Sequence, residues 1–270
     1  MIPKKVFQLT TKNLHLNDQI YSNIEFLKNN NPTWEYELLD EDRQVEFLKR
    51  FASTYLPTYH SFGRGYDAAK MDFFRYVLMH ECGGVYLDVK STFLQPLDYL
   101  FAKNDSFVAS YWPFDQDSQF KNWGKHPELS ERGEFINGVI ISEARSRILS
   151  DVITAVVRNI DQYNAFKNGV GGPAVLRLTG PVAYTLAINR SIYRESLTEI
   201  DFFSYGYKFS IFQSEKIHVS LGKLHYGRRL NPIIQKGILA SCAVIVYFFF
   251  KHRVWDFIAR KVSSLSRRIK

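Results

Sequence analysis

Cysteine is nearly absent. Cys82 and Cys242 are the only two in 270 residues, they lie far apart, and neither belongs to a CxxC pair. That spacing offers neither a disulfide framework nor a structural zinc site, and it fits a reducing compartment. His60, His80, His126, His218 and His225 form no HExxH or paired-ligand spacing, which argues against a zinc enzyme. No GxSxG or P-loop occurs, and Gly169-Val170-Gly171-Gly172-Pro173 lacks dinucleotide-fingerprint spacing and suits a helix start instead. No secretory signal pattern is visible, because Met1-Ile2-Pro3-Lys4-Lys5 runs straight into an apolar strand pattern. Repeats and low-complexity linkers are also missing.

One asymmetry qualifies the net charge of +8. Residues 251–270 hold seven Lys/Arg and one acid, so the rest carries 28 basic against 26 acidic residues, a surplus of only two. A nucleic-acid-binding body spreads its basic residues over a face, so nucleic acid is not an expected partner.

What is present is a globular composition, 46% hydrophobic, 16% aromatic and 23% charged, with enough apolar material for a core. Strands are predicted over 2–9, 34–39, 85–87, 107–111, 138–141, 207–212 and 217–221. Helices are predicted over 17–30, from the Asp40-Glu41-Asp42 cap through Phe51, and over 66–80, 143–163 and 173–189. Alternating strands and helices predict an α/β layered fold with a largely parallel sheet. We read one domain over 1–232 and an appendage over 233–270.

The chemistry concentrates in residues 66–90. On a helix, Ala68, Asp72, Arg75 and Met79 share one line, while Phe73, Phe74, Val77 and Leu78 form a core-facing stripe. Gly83-Gly84 breaks the helix, and the short strand that follows ends in Asp88. A polar group just past the carboxyl end of a buried strand is where open α/β sheets bind ligands. Taken alone, Asp72 and Arg75 also read as an i,i+3 surface ion pair and Asp88 as a turn residue. The full combination within about 25 residues is far more restrictive than its parts.

These residues resemble the core motif of glycosyltransferase family 32, retaining DXD-type enzymes related to initiating mannosyltransferases and bacterial capsular polysaccharide transferases. A remoter likeness is to the large clostridial glucosylating toxins. Ala68-Ala69, Asp72, Arg75-Tyr76 and Gly83-Gly84-Val85-Tyr86-Leu87-Asp88 match the motif. Weaker matches are Ile2–Gln8, Asn137-Gly138, Thr179-Gly180-Pro181 and Ile217-His218. The resemblance implies a GT-A (Rossmann-like) nucleotide-sugar transferase domain that passes a hexose to a glycan or glycolipid in surface polysaccharide or glycolipid synthesis. It further implies catalytic roles for Asp72, Arg75 and Asp88. Gln8 and Thr10 would lie beside the base, Ala68 and Tyr86 in the donor site, and His218 near the diphosphate. A divalent cation, Mn²⁺ or Mg²⁺, would be bound through Asp88.

Two positions depart from the family pattern. The second DXD carboxylate is Lys90, and the Gly-Ser-Trp near the family's end reads Gly222-Lys223-Leu224. Either Lys90, with Lys223, supplies positive charge to the leaving diphosphate, or Lys90 faces solvent and a metal binds through Asp88 and donor oxygens. The departure at Lys90 also motivates an alternative, a membrane-bound binding or scaffold protein on a degenerate transferase fold. Asp115 and Asp117 lie in an aromatic stretch, which we read as an acceptor-side loop. Its Trp112, Phe114, Phe120 and Trp123 either stack on sugar or lipid or pack as an ordinary loop.

The uncharged run 237–250 is, as a helix, about 21 Å long, short of the roughly 30 Å hydrocarbon core. Val254, Trp255, Phe257, Ile258, Val262, Leu265 and Ile269 then form an apolar face, with Arg260, Lys261, Arg267, Arg268 and Lys270 largely elsewhere. That pattern predicts a basic amphipathic helix on an anionic membrane surface, with the catalytic domain on the cytoplasmic side; a membrane-spanning segment is the runner-up and a buried core helix the third reading.

Overall fold

The computed structural model describes residues 1–11, 17–113, 120, 123–212, 227, 229–235 and 242–251. The chain runs β1 (Lys5–Leu9), α1 (Asp18–Asn30), β2 (Glu35–Leu39), α2 (Glu41–Phe51), α3 (Leu56–His60), α4 (Asp67–Cys82) and β3 (Gly84–Leu87). It continues through β4 (Thr92–Phe93), β5 (Phe107–Ala109), β6 (Val139–Ser142), α5 (Arg147–Asp161) and α6 (Ala165–Asn168). Then come α7 (Gly171–Leu178), α8 (Pro181–Arg190), β7 (Leu197–Glu199) and β8 (Tyr207–Lys208). The helix starts follow from capping. Asn17 accepts from the Ile20 amide at 3.0 Å and Asp40 from the Arg43 amide at 2.9 Å, satisfying otherwise orphaned donors.

Six strands form a sheet in the order β2-β1-β3-β6-β5-β7, and β4 pairs with β8 in a separate ribbon. β2, β1 and β3 are mutually parallel and β5 pairs parallel to β7, but β6 runs antiparallel to both of its neighbours. The sheet is thus mixed but parallel-rich. Strand alternation divides the core between its two faces. Phe7, Leu9, Tyr86, Phe107 and Ile140 point into the layer that holds α4, α5 and α8. Val6, Val85, Leu87, Val108, Val139 and Ile141 point into a second layer with Phe93, Phe202 and Leu27 of α1.

α4 is the central helix, buried continuously from Met71 to Met79. It is therefore not the one-sided helix that a single apolar stripe predicts. Its exit explains Gly83-Gly84. Both residues have positive φ, 65° and 98°. A Cβ at Gly83 would lie 2.4 Å from the Ala144 amide nitrogen, and one at Gly84 would lie 2.6 Å from the Lys5 carbonyl oxygen. Only glycine lets the chain reverse from helix to central strand at that spacing.

Several boundaries differ from the sequence reading. The helix expected from 143 starts at Arg147, where Ser146 accepts from the Leu149 amide. The one expected over 173–189 is two helices, split at Thr179-Gly180, with Pro181 opening the second. Of the strand expected over 207–212 only Tyr207–Lys208 pairs, with β4. The strand expected over 217–221 and the amphipathic helix beyond 251 lie outside the described residues.

Residues beyond 232 contact the body. The Gly63 amide donates to the Ile233 carbonyl at 2.7 Å, and Ile233 and Ile234 are buried. Residues 242–251 are helical and seat Val244 and Phe248, one turn apart, in the core, while Ile245, Val246, Tyr247, Phe249 and Phe250 stay exposed. No helix among the described residues is long and apolar enough to cross a membrane.

Candidate active site

Asp88 is the first residue past β3, beside the parallel strand β1. Its amide donates to the Gly138 carbonyl at 2.9 Å, and its own carbonyl accepts from Gln8 Nε2 at 3.2 Å. Main-chain and side-chain bonds from two neighbouring strands thus fix where the carboxylate stands. One oxygen, Oδ1, accepts from Tyr86 Oη at 2.7 Å and from Arg75 Nη1 at 3.1 Å. The other, Oδ2, faces Gly138, where a Cβ would come within 3.0 Å.

Arg75 ties this strand end to α4. Its Nη2 reaches Asp72 Oδ1 at 2.8 Å, its Nη1 also donates to the Asn137 carbonyl at 3.0 Å, and its guanidinium lies 4.9 Å from the Tyr86 ring. Asp72 accepts further bonds from Asn137 Nδ2 at 3.2 Å and Thr179 Oγ1 at 3.3 Å. Tyr76 Oη closes the network, accepting from Asn137 Nδ2 at 3.0 Å and donating to the Thr179 carbonyl at 2.8 Å. Helix α4, the segment before β6 and the α7–α8 junction therefore meet on one pair of charges.

Burial sorts the three charged residues. The Asp72 and Arg75 side chains are only 9% and 8% exposed, whereas Asp88 is 24% exposed. The pair is therefore not a surface ion pair, and Asp88 is not a mere turn residue. Burial pushes the Asp72 carboxyl up to about 7, opposed by Arg75 and reinforced by Asp88. For Arg75 burial works the other way, but Asp88 and Asp72 hold the guanidinium charged. Burial also drives the Tyr86 hydroxyl well above its ordinary range, so it donates to Asp88 as a neutral phenol.

Lys90 sits two residues beyond Asp88 with its Nζ 3.9 Å from the Phe209 ring centre, and its carbonyl accepts from the Ile211 amide. It does not face open solvent. Burial lowers its pKa while Asp88 pulls it back up. A divalent cation wants several hard oxygens. Among the described residues no three His, Cys, Asp or Glu side chains converge. Asp88 Oδ1 is already engaged, which leaves one carboxylate edge, and the next motif position carries an ammonium. Among the described residues this donor set does not fit a resident metal ion.

The remaining predicted residues divide. Gln8 is wholly buried, accepts from Tyr36 Oη at 2.7 Å and supports the Asp88 carbonyl, so it positions the strand end rather than offering a free group to a base. Thr10 is buried, with its carbonyl held by Gln44 Nε2 at 3.1 Å. Ala68 lies on α4 one turn before Asp72 and is half-buried. His218 and Lys223 lie outside the described residues, as do Phe114, Asp115 and Asp117. Trp112 and Phe120 are buried, and with the exposed Trp123 they form an aromatic cluster that includes Phe203 and Phe209. Asn137, Gly138 and Thr179 had no role in the sequence reading beyond their match to flanking motifs. The structure makes Asn137 and Thr179 partners of the acid–arginine pair and Gly138 the partner of the Asp88 amide.

Residues 17–107 match the family described as glycosyltransferase sugar-binding region containing DXD motif. Inositol phosphoceramide mannosyltransferase 1 of Schizosaccharomyces pombe is 29% identical over 97 residues, which cover 36% of this chain and 30% of that protein's length. The UDP-bound glycosyltransferase domain of the YGT toxin superposes with a TM-score of 0.52 at 9% identity, covering 83% of this chain and 87% of that one. The PaToxG glycosyltransferase gives 0.48 at 16% identity, covering 72% and 70%. The fold is thus shared with a glycosyltransferase domain of very different sequence. Residues 17–107, which carry Asp72, Arg75 and Asp88, are similar to the sugar-binding region of DXD-containing glycosyltransferases.

Proposed function

We propose that the protein transfers a hexose from a nucleotide-sugar donor to a glycan or glycolipid acceptor, with retention of configuration. The observation that carries this reading is Asp88. It is a carboxylate held by Arg75 and Tyr86 through one oxygen and left accessible at the carboxyl end of a central strand. Asp88 meets the donor's sugar or ribose hydroxyls. Asp72 and Arg75 are positioning residues, because their polar atoms are already spent on one another and on Asn137 and Thr179. The toxin domain that shares the fold is UDP-bound, and the fission-yeast relative is by name a mannosyltransferase acting on inositol phosphoceramide, which supports a nucleotide diphosphate sugar and a lipid-linked acceptor.

Lys90 contributes positive charge next to Asp88 as the diphosphate leaves, in the place where the family pattern has a second acid. Residues 233–270 hold the domain to the cytoplasmic face of an anionic membrane. The exposed apolar residues of 242–251 and the seven basic residues of 251–270 support that placement.

The test is donor hydrolysis or transfer by the purified protein, with Asp88→Ala as control. A drop of at least about a hundredfold in Asp88→Ala is expected, the scale for loss of one preorganised electrostatic group. Turnover by Asp88→Ala equal to wild type would overturn the assignment, and no turnover by either would favour the scaffold alternative. Turnover that survives EDTA supports the Lys90 role. Loss restored by Mn²⁺ would transfer that role to a metal.

A further inference from the structure

A cavity of about 590 Å³ opens beside, not on, the acid–arginine pair, lined among others by Arg64, Gly65, Asp67, Lys70 and Arg229. Asp67 and Lys70 belong to the first turn of α4, and Asp67 precedes Asp72 by about 7.5 Å of helix rise. Two of the cavity's charges cancel, since Lys70 Nζ pairs with Glu41 at 2.9 Å. Asp67 lies in the first turn of α4, where the helix dipole favours an acid. Among the described residues neither Arg64 nor Arg229 forms an ion pair, and the buried Nε of Arg229 has no hydrogen-bond partner.

Gly65 makes room for that guanidinium. A Cβ there would lie 2.0 Å from Arg229 Cζ, and its φ of +84° also favours glycine. Arg64 and Arg229 also line an adjoining cavity of about 270 Å³ with Pro232 and Ile245. Ile245 is on the helix whose outer side chains, among them Val246, Phe249 and Phe250, are exposed and apolar. Two cavities that share Arg64 and Arg229 therefore lie between the start of the donor-site helix and an apolar surface.

We propose that these cavities bind the anionic phosphate-bearing headgroup of a membrane lipid, the acceptor or its carrier, while residues 242–251 lie in the bilayer surface. The proposal rests on the transferase reading for the word acceptor but not for the binding itself. An arginine fork matches phosphate oxygens, and the guanidinium groups of Arg64 and Arg229 have no acidic partner among the described residues. The apolar helix beside it selects a lipid source over a soluble anion.

The full chain is tested by flotation with vesicles of phosphatidylcholine alone or with added phosphatidylinositol, and by thermal shift with inorganic phosphate. Wild type is expected to bind the phosphatidylinositol vesicles. R64Q/R229Q is expected to lose about tenfold or more in affinity, with Arg229→Lys recovering part of it. R267Q/R268Q, which removes the same charge from the tail, is the matched control. Equal weakening by both double variants would overturn the proposal in favour of generic charge attraction. So would phosphate binding without vesicle binding, or wild-type flotation by R64Q/R229Q. Each variant is also titrated with UDP and GDP sugars. A retained donor shift in R64Q/R229Q shows folded protein and separates the two readings, and loss of that shift would assign the cavities to the donor.

Discussion

At the scale of single residues, the site works by unequal exposure. Asp72 and Asp88 share Arg75, yet only Asp88 keeps a free edge. The buried member carries an electrostatic cost. A carboxyl raised to about 7 from an ordinary 3.8 takes up a proton on folding between those values, so native stability rises as pH falls through that window, and the charge is buried outright above it. Asp72→Asn should therefore melt higher than wild type at about pH 8. The gap should close at about pH 5, where Asp72 is itself protonated. Melting curves at the two pH values check this, and a variant less stable than wild type at the higher pH would contradict it.

Sequence spacing brought Asp72, Arg75 and Asp88 together correctly. It could not tell which of them faces ligand, because that depends on Asn137 and Thr179, 65 and 107 residues away from Asp72. Gln8 shows the same limit. A polar residue at a strand end suggests a ligand contact, but the partners that bury it, Tyr36 and the Asp88 carbonyl, come from other strands.

At the scale of elements, capping and glycine chemistry were legible and short pairings were not. Asn17, Asp40 and Gly83-Gly84 act locally, so helix ends at those points follow from the residues themselves. β4 and β7, at two and three residues, carry no period to read and exist only through partners distant in sequence. The α4–β3 reversal is the element on which the site depends. Gly84→Val adds a Cβ that would lie 2.6 Å from the Lys5 carbonyl oxygen, at a φ of 98°. The expected cost is roughly 3 kcal/mol. Denaturant unfolding should show a lowered midpoint at unchanged slope, and an unchanged midpoint would mean the strand can shift without loss.

At the scale of the whole molecule, a helix that is apolar on all sides joins a near-neutral body to a basic tail. Within residues 242–251 the two roles separate by side chain. Phe248 is in the core and Phe250 is 60% exposed. Phe248→Ala should destabilise by about 3–5 kcal/mol. Phe250→Ser should leave the melting temperature within experimental scatter while weakening vesicle flotation. Destabilisation by both variants alike would assign the helix to the fold alone. The apolar run was plain from the sequence, but that its Val244 and Phe248 join the core was not, since the cluster they join draws its residues from distant parts of the chain.

The central claim is that Asp88 anchors a nucleotide sugar, and a thermal-shift panel of wild type and Asp88→Asn against UDP and GDP sugars, each with Mn²⁺ and with EDTA, tests it most directly. At about a hundred times its dissociation constant the right donor adds about 2.7 kcal/mol to stability. Wild type should show that shift with one nucleotide, still present in EDTA, and Asp88→Asn should lose it. No shift with any donor on folded wild-type protein, or an undiminished shift in Asp88→Asn, would contradict it.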